Sequence, residues 1–234
     1  MTNHKVNKPL IGDLIWGLLF IGITTLFIIP STRGAIGNAT LSYPYLLGFL
    51  KTSVLASMGE ILVGRIKYKA YTINRQTVLK FIVWGFLGMS FVLVFPLFNE
   101  GVKALQGKSL LPNIAGQTFL SKFVTALLTS TLMNLIFAPT FMILHRFTDS
   151  YIDKSVGTIC QMKQISLSSV VESINWKFFF GFVVFKTIPL FWIPAHTITF
   201  LLPEEYRVLV AAYLSIALGI ILSLSTVLAK KTDV

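Results

Sequence analysis

The chain of 234 residues has a single cysteine, Cys160, which excludes an intramolecular disulfide and any cysteine-built metal cluster. Histidine is nearly as scarce. His4, His145 and His196 are scattered with no His-Glu-x-x-His or comparable spacing, so no metal site is expected. There is no Walker or dinucleotide glycine loop and no Gly-x-Ser-x-Gly elbow, and hence no visible set of nucleophile, base and metal. No cofactor and no enzymatic activity are expected. Low-complexity tracts and solenoid repeats are missing as well. Charge is sparse: Asp, Glu, Lys and Arg make up 12% of the residues, about half the share in a typical soluble domain.

What fills the chain instead is apolar. Hydrophobic residues reach 54% and the mean hydropathy is +0.76. Six stretches are long enough to cross a bilayer, at roughly 20 residues each: Leu14 to Pro30, Tyr45 to Gly64, Phe81 to Phe98, Phe123 to Leu144, Phe178 to Phe200 and Val208 to Leu228. The expected fold is all-α, a polytopic transmembrane helix bundle. Six spans leave only short connections and no room for a soluble catalytic domain. The expected organisation is an N-terminal tail with a first anchor over 1–44, the main bundle over 45–228, and a short basic tail over 229–234. The apolar run after Lys5 and Lys8 ends without a clean small-x-small site, so it reads as a retained span. It also lacks a presequence pattern.

The net charge of +11 would raise nucleic-acid binding in a soluble protein, but these cations flank the spans and follow the positive-inside rule. Thirteen Lys and Arg fall on one side of the six-span topology and five on the other, with Lys51 and Lys186 inside spans. Both termini are expected on the cytoplasmic side. Lipid is the expected partner, together with small solutes or ions; a homo-oligomer stays open, and no nucleic acid is expected. The longest connection, His145 to Lys177, reads as leaving the membrane, with Val156 to Ile174 partly helical and interfacial.

Span five carries Pro189 and Pro194, each lacking a backbone donor and clashing with the preceding turn. A kinked or broken helix is expected there, against protein or a water-filled cavity. Lys51, Glu60, Lys186 and His196 are ionisable within spans, where a charge at mid-depth costs about 2.5–3.5 kcal/mol or more. Glu60 reads either as a packing ion pair, with Lys186 or a loop Arg, or as the lining of a solute path. Lys51 can snorkel to the interface. Lys186, His196, Thr187, Thr197 and Thr199 cluster on span five. The candidate lining is Glu60, Lys186, His196, Thr199 and Arg207. Glu204-Glu205-Tyr206-Arg207 has a double Glu near an Arg, as in intramembrane metalloproteases, but the spacing is short and no second His-bearing helix accompanies it.

Several motifs in order resemble the Mpv-type family, named with the 22-kDa peroxisomal membrane protein. Gly59-Glu60-Ile61-Leu62-Val63-Gly64 resembles the family's Gly-Asp-x-x-x-Gln. Phe95-Pro96 followed by Lys103-Ala104-Leu105 resembles its Gly-Pro and Trp-Tyr-Lys-x-Leu segment, with Gly101-Val102 in place of the aromatics. Phe137-Ala138-Pro139 matches the end of Asp-Gln-x-x-Phe-Ala-Pro, with Met133-Asn134 for Asp-Gln. Trp192, His196, Thr199, Phe200, Pro203, Tyr206 and Arg207 resemble the Trp-Pro, Gln, Asn-Phe, Pro and Tyr-Arg series, and Leu218 replaces the last-helix Trp. The resemblance spans roughly Tyr45 to Ser223 and gives Gly59, Pro96, Pro139, Trp192, Phe200, Pro203 and Tyr206 structural roles. It implies a small non-enzymatic membrane protein of mitochondrial inner, peroxisomal or another membrane, acting as a pore for small solutes, with effects on membrane potential, reactive oxygen species and, in some members, mitochondrial DNA upkeep; the missing presequence pattern and the Lys/Arg bias leave a bacterial cell membrane equally open. A secondary transporter and a structural protein without transport are the alternatives.

Overall fold

The computed structural model describes residues 8–155 and 158–232. The tail residues 1–7 and 233–234 lie outside the described residues, as do Val156 and Gly157 at the head of the segment expected to be partly helical. The described chain is helical: α1 (Lys8–Ile28), α2 (Pro30–Ser42), α3 (Pro44–Tyr68), α4 (Arg75–Gly107), α5 (Phe119–Ile136), α6 (Ala138–Lys154), the short α7 (Ile159–Met162), α8 (Leu167–Ser173) and α9 (Trp176–Phe178), a π-helix over Phe179–Trp192, α10 (Ile193–Leu201) and α11 (Glu204–Thr232). Among the described residues six helices are long and apolar enough to cross a membrane, and each overlaps one of the six spans read from sequence. The chain is a multi-pass integral membrane protein.

Caps mark where the spans begin. Asn74 closes a capping box with Thr77 at the start of α4, and the Thr118 side chain accepts from Ser121 N at the start of α5, each satisfying backbone donors that a helix start leaves free. Pro44 occupies the first turn of α3, where its missing N–H costs nothing.

Cross-helix contacts fix the directions of the crossings. Asp13 pairs with Arg65 at 2.8 Å and Lys80 with Asp153 at 2.9 Å, so the start of α1, the end of α3, the start of α4 and the end of α6 share one face, hereafter the Arg65 face. Lys51 donates to Thr40 Oγ1 of α2 and to the Glu205 carbonyl, which puts α2, the start of α3 and the start of α11 on the opposite, Glu205 face. Helix α3 lies at the centre, packed against α4 and α11. Lipid tails are as apolar as the side chains, so close packing must bind these helices. A Cβ at Gly88 of α4 would strike the Gly48 carbonyl and the Thr52 side chain of α3, and one at Gly59 would come within 3.1 Å of Ile216 of α11. Leu55, Leu209, Ala212 and Ile216 form the α3–α11 core, over which Phe20, Ile23 and Phe27 of α1 close. No residue of the α1 window Ile11–Ile28 is buried, so this first anchor lies at the periphery.

Two expectations are corrected. The fourth crossing does not end at Leu144: the long apolar helix α5 ends at Ile136, and after a step at Phe137, with Pro139 in its first turn, a second helix, α6, runs to Lys154. The start of the expected polar connection is therefore helix packed against α4. Span five is not severed by its prolines. It stays helical from Trp176 to Leu201 and changes winding instead. Pro189 removes a donor and would clash with the Phe185 carbonyl in an α-turn, and the wider π-turn relieves both. Regular α-winding resumes at Ile193.

Candidate functional site

Three cavities lie in series through the bundle. The first, about 230 Å³, opens near the Glu205 face and is lined by Lys51, Glu204, Glu205 and Arg207 with Phe91, Phe95 and Pro96. Here α2 and α11 hold the Lys51 ammonium, 2.6 Å from Thr40 Oγ1 and 6.0 Å from the Phe27 ring centroid. Arg207 donates to the carbonyls of Leu202 and Phe200 at 3.1 and 3.4 Å and lies over the Phe200 ring. These carbonyls at the end of α10 have no helical partner, and the guanidinium supplies one.

The second cavity, about 190 Å³, is the central chamber, lined by Phe91, Asn134, Thr187, Trp192, His196, Ser215, Trp84 and His145 among apolar neighbours. Phe91 lines both cavities, and its ring packs on Phe95 at 5.4 Å. Phe95 in turn meets the His196 ring edge to face at 5.8 Å. These two phenyl rings separate the outer vestibule from the chamber. In the chamber wall, Asn134 of α5 lies 3.1–3.2 Å from Nδ1 of His196 of α10, and Trp192 stacks on the same imidazole at 5.2 Å. Ser130, one turn before Asn134, donates to the Ile193 carbonyl at 2.7 Å, where the π-helix gives way to α10. Buried polar groups must be paired, and this network pairs the broken-pattern backbone and the histidine together.

The third cavity, about 250 Å³, is lined by His145, Arg146, Asp149 and Asn175 toward the Arg65 face. His145 lines this cavity and the chamber. At this junction the Trp84 indole donates to Glu60 Oε1 at 2.8 Å and packs against His145, ring centroids 4.3 Å apart and planes tilted by 52°. His145 Nε2 lies 3.6 Å from Asp149 Oδ2, one helical turn on. Glu60, His145 and Asp149 can each offer a ligand atom, all within 4.8 Å of one another. Further out on the same face, Arg65 grips Asp13 through two hydrogen bonds and Tyr71 donates to Asp13 at 2.8 Å. Burial, then the hydrogen bond to Asp13, pushes the Tyr71 phenol up to about 12.

The sequence-read lining residues fall in different places. His196 lines the chamber and Arg207 the vestibule. Glu60 bonds Trp84, a chamber residue, from a fourth cavity beside Lys80. Thr199 is buried but bonds its own helix, to the Ala195 carbonyl. Lys186 lies exposed on the outside of the bundle, its ammonium 6.0 Å from the Phe182 ring, away from these cavities and from Glu60. The motif residues act in packing: Gly59 against Ile216, Pro96 in the vestibule wall, Pro139 at the α5–α6 step, Trp192 on His196, Phe200 on Phe95, and Pro203, whose carbonyl accepts from Tyr206, at the turn into α11. The candidate lining read from sequence leaves out Asn134, quoted there only as a motif position, and His145, along with Asp149, Trp84, Phe91 and Lys80. Two signals for them were present, the four-residue spacings Ser130/Asn134 and His145/Asp149, each of which puts polar groups on one helix face.

The chain matches no family model, no curated protein and no solved structure.

Proposed function

We propose that this protein passes small polar solutes across its membrane through the three cavities. The single observation that carries the reading is their order: Phe91 is shared by the outer vestibule and the chamber, and His145 by the chamber and the inner cavity. Vestibule groups of both signs, Lys51 and Arg207 against Glu204 and Glu205, suit small polar solutes, whereas the chamber wall is mainly apolar, with Asn134 and His196 paired to each other and Thr187 and Ser215 donating to the Val183 and Ala211 carbonyls. The Phe91 and Phe95 rings form the barrier of a closed state. The lining that follows is Arg207 and His196 as read from sequence, joined by Phe91, Asn134 and His145, with Glu60 acting through Trp84.

The ordered motifs support placement among Mpv-type proteins as a divergent, non-enzymatic member. The Asn134 and His196 positions of two separate motifs meet in the chamber wall. The excess of Lys and Arg on the Arg65 face supports both termini on the cytoplasmic side, whether in a bacterial cell membrane or in a mitochondrial inner or peroxisomal membrane. A chamber closed by rings from one vestibule is also what an alternating-access carrier needs, so the carrier stands as the second reading. Purified protein in planar bilayers and proteoliposomes separates them. A pore gives discrete currents or unsaturable solute efflux, a carrier gives saturable counterflow, and no flux of either kind from folded protein overturns both.

A further inference from the structure

We propose that Glu60, His145 and Asp149 form a binding site for one divalent transition-metal ion, Zn²⁺ or Mn²⁺ being the chemistry that the donor set fits. Two carboxylates and one imidazole are borderline-hard ligands that suit such ions. His145 and Asp149 stand at i and i+4 on α6, which turns both toward α3, where Glu60 completes the triad. Ligand bonds of about 2.1 Å at tetrahedral angles put donor atoms about 3.4 Å apart. The His145 Nε2 to Asp149 Oδ2 separation is 3.6 Å, and the three donors lie within 4.8 Å, so small side-chain rotations close the site.

A second observation points to a ligand. His145 Nδ1 and Asp149 Oδ1 are shut away from solvent, and neither has a hydrogen-bond partner among the described residues. Such groups cost free energy unless something satisfies them; an ion held by His145 Nε2 satisfies the Asp149 carboxylate, while Nδ1, the other ring nitrogen, stays outside its reach. Lys80 and Arg146 act on Asp149 through space, but neither bonds it, and the Lys80 ammonium is drawn to Asp153 at 2.9 Å. Glu60 and Asp149 thus have no Lys or Arg bonded to them among the described residues. Outer support is present too, since the Trp84 indole holds Glu60 by a hydrogen bond and packs, tilted by 52°, against the His145 ring, as partners beyond the ligands do in metal sites. The cavities beside Asp149 and beside Glu60 provide entry from the Arg65 face. The site does not depend on the solute-path reading, because binding is measured with no solute present.

The test is titration of chelator-stripped, full-length protein in detergent with Zn²⁺ by calorimetry and with Mn²⁺ by electron paramagnetic resonance. One equivalent of ion is expected per chain, weakened about tenfold or more in Asp149→Asn and His145→Phe, the latter keeping a ring on Trp84. Should either variant fail to fold, Mn²⁺ quenching of the wild-type tryptophan emission gives the answer: it is expected to fall away in Trp84→Phe. Absence of saturable one-to-one binding, binding undiminished in folded variants, or quenching that persists without Trp84 overturns the site.

Discussion

Asn134 of α5 and His196 of α10 meet within 3.1 Å, 62 residues apart in sequence, and both side chains are buried. The pair fastens the fourth crossing to the fifth at the depth where the fifth changes winding. Asn134→Ala leaves the imidazole Nδ1 without its partner, and a buried polar group so orphaned costs about 1–3 kcal/mol. Equilibrium unfolding in mixed detergent micelles measures it. A loss below a few tenths of that range would mean that water already satisfies His196.

The α3–α4 seam depends on bare backbone at Gly88. Gly88→Val drives a side chain into Gly48 and Thr52, whereas nothing lies within 4 Å of a Cβ at Gly101 on the same helix. Overpacking costs about 1–3 kcal/mol and more where backbone is struck. Gly88→Val is expected to lower the unfolding midpoint sharply and Gly101→Val to leave it nearly unchanged. Equal effects would place the cost in helix propensity rather than in the seam.

Tyr71 supplies a pH signature. Its phenol is pushed up to about 12 from an unfolded value near 10, so the folded state favours the protonated form. That contribution is fully present below about pH 10 and is lost as pH rises through about 12. Absorbance titration at the tyrosinate band is expected to show one late-ionising tyrosine that disappears in Tyr71→Phe. A titration unchanged by the substitution contradicts the assignment.

Lys186 was grouped with His196 from sequence, since both fall in one apolar span with its prolines. The structure separates them, and the reason is the winding: a π-turn advances by a smaller angle per residue than an α-turn, so α-periodicity misassigns the faces of Phe179–Trp192. Lys186→Met is accordingly expected to leave solute flux unaltered, and His196→Ala to change it. The reverse pattern in proteoliposomes would return the path to the outer side of span five.

The six crossings were legible because a bilayer demands unbroken apolar length, and that demand is written in consecutive residues. The meeting of Glu60 with Trp84 and His145 was not, because it arises from how α3, α4 and α6 pack. Ends were less legible than centres. Leu144 looked like a terminus because polarity rises at His145, yet the polar residues beyond it lie on a helix whose end is held to α4 by the Lys80–Asp153 pair. Phe91, an ordinary apolar residue in a span, carries no sequence mark of its place between two cavities.

The central claim is that the chamber admits water-borne solute, and the lone cysteine makes it directly testable. In a Cys160→Ser background, cysteines placed one at a time at Ser215, in the chamber wall, and at Leu190, on the exposed outer face, are treated in membranes with Ag⁺ or a small water-soluble thiosulfonate. The account predicts that the Ser215→Cys protein reacts and that Phe91→Ala speeds its reaction from the Glu205 face, while the Leu190→Cys protein stays inert. A Ser215→Cys protein as unreactive as the Leu190→Cys protein, with and without the phenyl ring, would contradict it.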